Sequence, residues 1–403
     1  MFFVKNFTEN NLMVDVLRIS DIMIKHADGF NELSGSLDGE HVYLRVSEQF
    51  KLYLNVEWLI GIALLEAMYR NKPLQIDSSV SVSKVFSDRL YEIQAIYACW
   101  NPDLSIVNIE ATTCEENKQF SLVGCFFSAG VDSSHALIRN MVDTSHLLMF
   151  RGFDKGNDQS SWEQRVCSQE GFAASLGKKL IPIETNARQW TDNNKIAWEF
   201  AHGLLLSSVG GALGMKRVYV PSSHTYDELF PWGSHPLSDP MWSTESTEII
   251  HDGAGFRRGA KMKDILREPK VGNNLQVCWR NIHQNCGECP KCVRTMAAVY
   301  LLGGNIDTLP PLSDLKKLKT LKAIDESGAT FLEDAMVLAK EAKNLEAYNI
   351  LKKLYRRYQI GQLWPLMDRY LLGGTIRRVY RKLRKPDWLS WRVTLRGATR
   401  WDI

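Results

Sequence analysis

The sequence predicts an α/β fold in three parts: an α+β module over residues 1–117, a mainly parallel sheet over 118–300, and a helical, basic region over 301–403. Three observations carry this. Short apolar runs alternate with helix-forming stretches between residues 122 and 220, the pattern of a sheet covered on both faces. Earlier, Val42, Leu44 and Val46 alternate with Tyr43 and Arg45, the period of a strand with one buried face. Later, Pro310 and Pro311 break the chain before a helix-rich end.

At 403 residues the chain exceeds one compact core. Its 45% apolar and 24% charged residues exclude disordered, collagen-like and low-complexity classes. The first residues offer only Met-Phe-Phe-Val before Lys5, so no secretory signal is expected. The longest uncharged apolar-leaning run, 200–215, is short, glycine-rich and contains His202, so no membrane span is expected either. A reducing cytoplasm is therefore the expected compartment, and clustered thiols there point to metal rather than disulfides.

In the first part, 41–46 reads as a strand, 56–69 and 82–100 as helices, and 104–111 as a strand. No catalytic constellation lies there, so the module reads as a binding or scaffolding unit, a place for a protein partner. In the second part, strands are expected at 122–127, 146–150, 180–183 and 217–220, with helices at 135–141, 162–176 and 198–213. Ligands in such sheets sit beyond the carboxyl ends of the strands. A long connection, 225–252, carries Pro231, Trp232, His235, Pro236, Pro240 and Trp242. Connections of that length are functional or disordered, and the aromatics argue against disorder. A helix at 259–266 follows.

Net charge is +3, but it is unevenly spread. Residues 351–403 hold 14 basic and 3 acidic side chains, leaving 35 basic and 43 acidic in the rest. The basic stretch includes Arg377, Arg378, Arg381, Lys382, Arg384 and Lys385 interleaved with apolar residues. It suits nucleic acid, an acidic protein or an anionic membrane surface, or else a solvated face.

Ser128, Ala129, Gly130, Val131, Asp132, Ser133 and Ser134 run between the 122–127 strand and the next helix. A glycine turn there frees the backbone and admits an oxyanion. The free N–H groups and positive end of the helix dipole then face that anion. Asp132 can hold Mg²⁺ or cap the helix. No Gly-Lys-Ser/Thr follows, which excludes a Walker loop.

Eight cysteines are present, four of them within fifteen residues: Cys278, Cys286, Cys289 and Cys292. Cys-x-x-Cys spacing offers two thiolates from one tight turn, and Gly287 eases the first turn. Cys278 can return as fourth ligand of a closed, structural Zn²⁺ site. An iron–sulfur cluster also fits the spacing.

The 128–134 segment resembles the Ser-Gly-Gly-x-Asp-Ser loop of the PP-loop ATP pyrophosphatases, a HUP-like parallel-sheet family. Ser128, Gly130, Asp132 and Ser133 match, and Ala129 stands where glycine is commonest. With Cys278 and Cys286-Gly-x-Cys-x-x-Cys292 downstream, the chain looks like the 7-cyano-7-deazaguanine synthases over residues 118–300. Thr295 occupies the position of that family's usual arginine, one step after Arg294. The resemblance implies an AMP-forming C–N ligase using ATP, Mg²⁺ and Zn²⁺. ATP binds over 128–134; a carboxylate or amide oxygen of a small, heterocyclic substrate is adenylated and then attacked by ammonia or an amine. Relatives in antiphage and natural-product gene clusters extend the chemistry to other acceptors, including a partner protein. A scaffold that binds nucleotide without turnover, and a homodimer, are the remaining expectations.

The resemblance also implies a catalytic lysine near this point. The expected catalytic residues are Asp132 and Lys261, the lysine to neutralise pyrophosphate, with Arg258 and Lys263 as its competitors and a solvated basic helix face as the alternative. His224 and Asp227 follow the 217–220 strand and can contact substrate. Trp232, His235 and Trp242 form either a stacking lid or packing of the long connection.

Overall fold

The computed structural model describes residues 15–153, 158–281, 283–323 and 326–376, together with 379 and 383. The basic residues 377, 378, 381, 382, 384 and 385 lie outside the described residues.

The described residues begin with three antiparallel strands, β1 (Leu17–Ala27), β2 (Phe30–Leu37) and β3 (Glu40–Ser47). Asp28-Gly29 and Asp38-Gly39 turn the corners, all four residues at positive φ. That is the two-residue hairpin turn whose twist matches the strands. Helix α1 (Glu57–Arg70) follows, then β4 (Leu74–Ile76), β5 (Ser81–Ser83), α2 (Lys84–Trp100), β6 (Ile109–Glu110) and β7 (Thr112–Cys114). The strand expected over 104–111 shrinks to β6. Val107 instead exchanges both backbone bonds with the buried Gln94 side chain, at 2.8 and 3.3 Å, which removes it from any ladder.

The parallel part comprises β8 (Leu122–Phe126), α3 (Val131–Arg139), β9 (His146–Arg151), α4 (Gln159–Ser175), β10 (Lys179–Thr185), α5 (Ala187–Asn193), α6 (Trp198–Ser208), β11 (Met215–Pro221) and β12 (Glu248–Asp252). One ten-stranded sheet runs β12-β11-β8-β9-β10-β3-β2-β1-β4-β6. Strands β8 to β12 pair parallel, and β10 meets β3 antiparallel. The first 117 residues therefore extend the same sheet. Arg45 bonds Glu184 at 2.8 Å across the seam, and Trp162 Nε1 donates to the other oxygen of that carboxylate at 3.1 Å.

Alternation along β8 serves two cores. Val123 and Cys125 face α3 and α4 with Leu147, Met149 and Phe172. Phe126 faces the core shared by α1 and α6, with Leu59, Leu204 and Val218. Helix α6 ends at Ser208 rather than 213, where a run of glycines takes over. At Gly203 an added Cβ would stand 1.7 Å from the Gly233 carbonyl oxygen, so only glycine lets the 225–252 connection lie against α6.

Helices α7 (Arg258–Arg267), α8 (Pro269–Gly272), α9 (Pro290–Leu301), α10 (Glu326–Glu341) and α11 (Leu345–Leu372) complete the fold. A third core joins them: Met262, Ile265, Val293 and Met296 pack with Leu332, Leu338 and Leu351. No helix among the described residues is long and apolar enough to cross a membrane.

Candidate nucleotide loop and four-cysteine centre

Along the sheet the chain steps β8, β9, β10 to one side, then crosses back to β11 and β12 on the other. The order reverses between β8 and β11. In doubly wound sheets the ligand crevice lies outside the carboxyl ends of the strands at such a switch point. The two loops leaving those ends are 127–130 and 222–228.

Helix α3 begins at Val131, four residues earlier than expected, so Asp132, Ser133 and Ser134 form its first turn. Ala129, not Gly130, takes the left-handed conformation, with φ 56°, while Gly130 is extended at φ −79°. Gly130 instead leaves space: its added Cβ would meet only the Ser128 hydroxyl, at 3.3 Å. Left-handed alanine costs about 1 kcal/mol relative to glycine, which accounts for glycine at the matching position of the resembling loops. Ala129 is buried, and its carbonyl accepts from Gln276 N at 2.8 Å.

The serines divide their work. Ser133 Oγ donates to the Gly130 carbonyl at 3.1 Å and accepts from Ser128 N at 3.2 Å, which closes the loop. Ser134 is buried, and its hydroxyl has no hydrogen-bond partner among the described residues. The opening N–H groups of α3 have no carbonyl one turn back to accept them, which leaves them for an anion. Arg165 of α4 donates to the Ser128 carbonyl at 3.2 Å and adds a cation beside the loop.

Lys261 Nζ lies 2.8 Å from Asp132 Oδ1 and donates to the Ser222 carbonyl at 2.6 Å. The lysine is 2% exposed. Arg258 stands 3.5 Å from the other Asp132 oxygen. Burial pushes the Asp132 carboxyl up, but Lys261 and Arg258 outweigh it and hold it below the usual carboxylate range. Burial, then Lys261, depress the neighbouring His135 imidazole. Lys263 points elsewhere, to Glu341 at 2.8 Å.

A small recess opens beside the pair, lined by Ser223, Thr225 and Glu228 after β11, by Phe256, Arg257, Arg258 and Lys261, and by Thr330, Phe331 and Asp334 of α10. Asp334 accepts from Gly259 N at 2.7 Å at the start of α7. Phe331 lies under two guanidinium groups, Arg294 at 3.7 Å and Arg258 at 5.3 Å. Burial raises the Glu228 and Asp334 carboxyls. Nothing local in the sequence marks Phe331 or Asp334, because α10 reaches the loop from some 70 residues downstream of α7.

His224 is buried, its ring 4.5 Å from Phe230 and 5.6 Å from Trp232. Asp227 pairs with Arg257. The connection packs instead of forming a lid: Trp242 is buried 4.8 Å from Phe86, and His235 lies 4.9 Å from Trp100.

Cys278, Cys286, Cys289 and Cys292 converge, their sulphurs all within 4.8 Å of one another. Cys286–Cys292 is 4.0 Å and Cys278–Cys289 is 3.9 Å. Tetrahedral zinc with bonds of about 2.3 Å sets its sulphurs about 3.8 Å apart, so the four cysteines can hold an ion such as zinc. The spacing leaves room for one ion and not for a four-iron core. Gly287, at φ 68°, makes the turn between the first pair. Backbone N–H groups of Arg280, Asn281, Glu288, Cys289 and Cys292 point at the sulphurs at 3.3–3.4 Å. Burial raises the Cys278 thiol, but such donors outweigh it and bring it down to about 7. Burial leaves Cys292 raised. His283 stands apart, 3.3 Å from Ser161. Asn285, which the sequence did not flag, accepts from Val277 and Cys278 N and donates to the Leu275 and Thr308 carbonyls.

The fold is thus α/β with a large, mostly parallel sheet, compatible with a Rossmann-like nucleotide domain, and it carries four cysteines that can hold a metal ion. No family model, curated protein or solved structure matches the chain.

Proposed function

We propose that the chain is an ATP-dependent enzyme that forms AMP and pyrophosphate by adenylating a carboxylate or amide oxygen, which ammonia or an amine then attacks. Position supports this most strongly: a serine–glycine bend opens α3 at the sheet's switch point, with a buried lysine bonded to the first-turn aspartate. The α3 N–H groups and Arg165 hold phosphates, and Lys261 neutralises charge as pyrophosphate leaves. The substrate oxygen bonds to the α-phosphorus as the bond to pyrophosphate breaks. The amine then bonds to the activated carbon as AMP departs with the electron pair. The protein orients these groups and stabilises charge.

Mg²⁺ binds through one or two carboxylates plus substrate phosphates, and Asp132, a quarter exposed, is the carboxylate at this loop that suits it. When bound, that ion neutralises phosphate charge. Substrate binding falls to the mouth of the recess beside Lys261, where Arg257 and Arg258 suit a carboxylate.

The test supplies ATP with a panel of heterocyclic and aliphatic acids, ammonium salts and co-purifying proteins, and resolves products by mass spectrometry. AMP and pyrophosphate in equal amounts are expected. ADP and phosphate, or no turnover with any acceptor, contradict the reading.

A further inference from the structure

Helix α11 changes character along its length. Its first half packs: Ala347 and Leu351 are fully buried in the third core. Its second half carries Ile360, Leu363, Trp364, Met367 and Leu371, exposed by 67, 56, 60, 48 and 71%. Helix geometry puts Ile360, Met367 and Leu371 about 180°, 160° and 200° round from Leu351. The apolar stripe therefore faces away from the protein. Soluble chains scatter exposed apolar residues singly, and a contiguous row of them marks an interaction surface.

Charge identifies the occupant. Lys353, Arg356 and Arg357 are exposed on the same side, one to two turns before the stripe. The only acidic residue of 351–376, Asp368, is buried and accepts from Ile376 N at 2.9 Å. Beyond the stripe the sequence adds Arg377, Arg378, Arg381, Lys382, Arg384 and Lys385. A second copy would bring cations against cations at either end. An anionic lipid surface complements both features: the acyl boundary takes Trp364, Met367 and the aliphatics, and the headgroups take the flanking cations. From these observations we infer that α11 lies flat on an anionic membrane surface and tethers the protein there. The helix does not span.

The test is sedimentation of the full-length protein with phosphatidylcholine vesicles, with and without about one-third phosphatidylserine. Binding is expected only with phosphatidylserine, and 0.5 M salt should weaken it at least tenfold, because headgroup attraction is screened. Leu363→Glu/Met367→Glu should lose it, and so should Arg356→Glu/Arg357→Glu, each with an unchanged circular dichroism spectrum. The second pair guards against the first simply misfolding, since both arginines are exposed. No sedimentation by the wild type overturns the inference. So does a stripe-dependent dimer in light scattering without vesicle binding, or binding that both double variants retain. The outcome does not depend on nucleotide chemistry.

Discussion

Lys261→Met should lower pyrophosphate formation by about 10²–10³-fold, the loss that follows removal of one preorganised charge donor from developing negative charge. The lysine is buried, and its Nζ bridges the first turn of α3 to the end of β11 through Asp132 and the Ser222 carbonyl. Its removal also leaves Asp132 with Arg258 alone, at 3.5 Å. Breaking a buried pair costs about 3–5 kcal/mol; a quarter-exposed carboxylate with a second cation should bring this to about 1–3 kcal/mol. The sign with pH is fixed. Because the folded Asp132 carboxyl sits below its ordinary value, the pairing stabilises fully above that ordinary value and is lost as pH falls through the depressed one. The difference in stability between wild type and variant should therefore shrink in acid. Lys261→Arg should recover part of the stability but little of the rate, since guanidinium cannot occupy the ammonium position. Steady-state kinetics and thermal melts of the three proteins check both points. Equal rates would remove Lys261 from the chemistry.

Wild-type protein should carry about one zinc per chain, and Cys289→Ser should lose it and lower the melting temperature by more than about 10 °C. Cys289 is fully buried, caps α9 through Cys292 N, and shares a core with Met296 and Leu332. Metal binding in such a closed cage is folding free energy. The loss should reach the 128–134 loop, because the segment entering the cage donates Gln276 N to the Ala129 carbonyl, the one left-handed residue of the bend. Asn285 ties that same segment to the knuckle. ATP affinity should fall at least tenfold in the variant, and in wild type treated with a chelator. Elemental analysis and calorimetry are the measurements. Metal-free protein that melts and binds ATP like wild type would contradict the coupling.

Local chemistry in the sequence located β8 to β11, the 128–134 bend and the four clustered cysteines, because each depends on neighbours within a few residues. Strand β12 was hidden at the end of the 225–252 connection, whose prolines and aromatics mask a five-residue strand. The opening hairpins had equally local signals, Asp28-Gly29 and Asp38-Gly39, yet β1 and β2 both escaped notice. A bulge at Asp21, with φ 53°, shifts the register of β1 between Ser20 and Met23 and spoils its alternation. The seam between β3 and β10 pairs Val46 with Ile183, and separation of that order leaves no periodic trace. For the same reason Arg165, Phe331 and Asp334 stayed hidden: each reaches the site from a distant helix face. Glycine in the bend misled in detail. The residue that takes positive φ is Ala129, while Gly130 is extended and leaves open space beside the Ser128 hydroxyl.

The central claim is that the opening turn of α3 grips nucleotide phosphates. A crystal structure with a non-hydrolysable adenine nucleotide tests it most directly. Phosphate oxygens within hydrogen-bond distance of the Val131, Asp132 and Ser133 N–H groups, with Lys261 alongside, are the expected result. A nucleotide bound elsewhere, with that turn unliganded at saturating concentration, would contradict it.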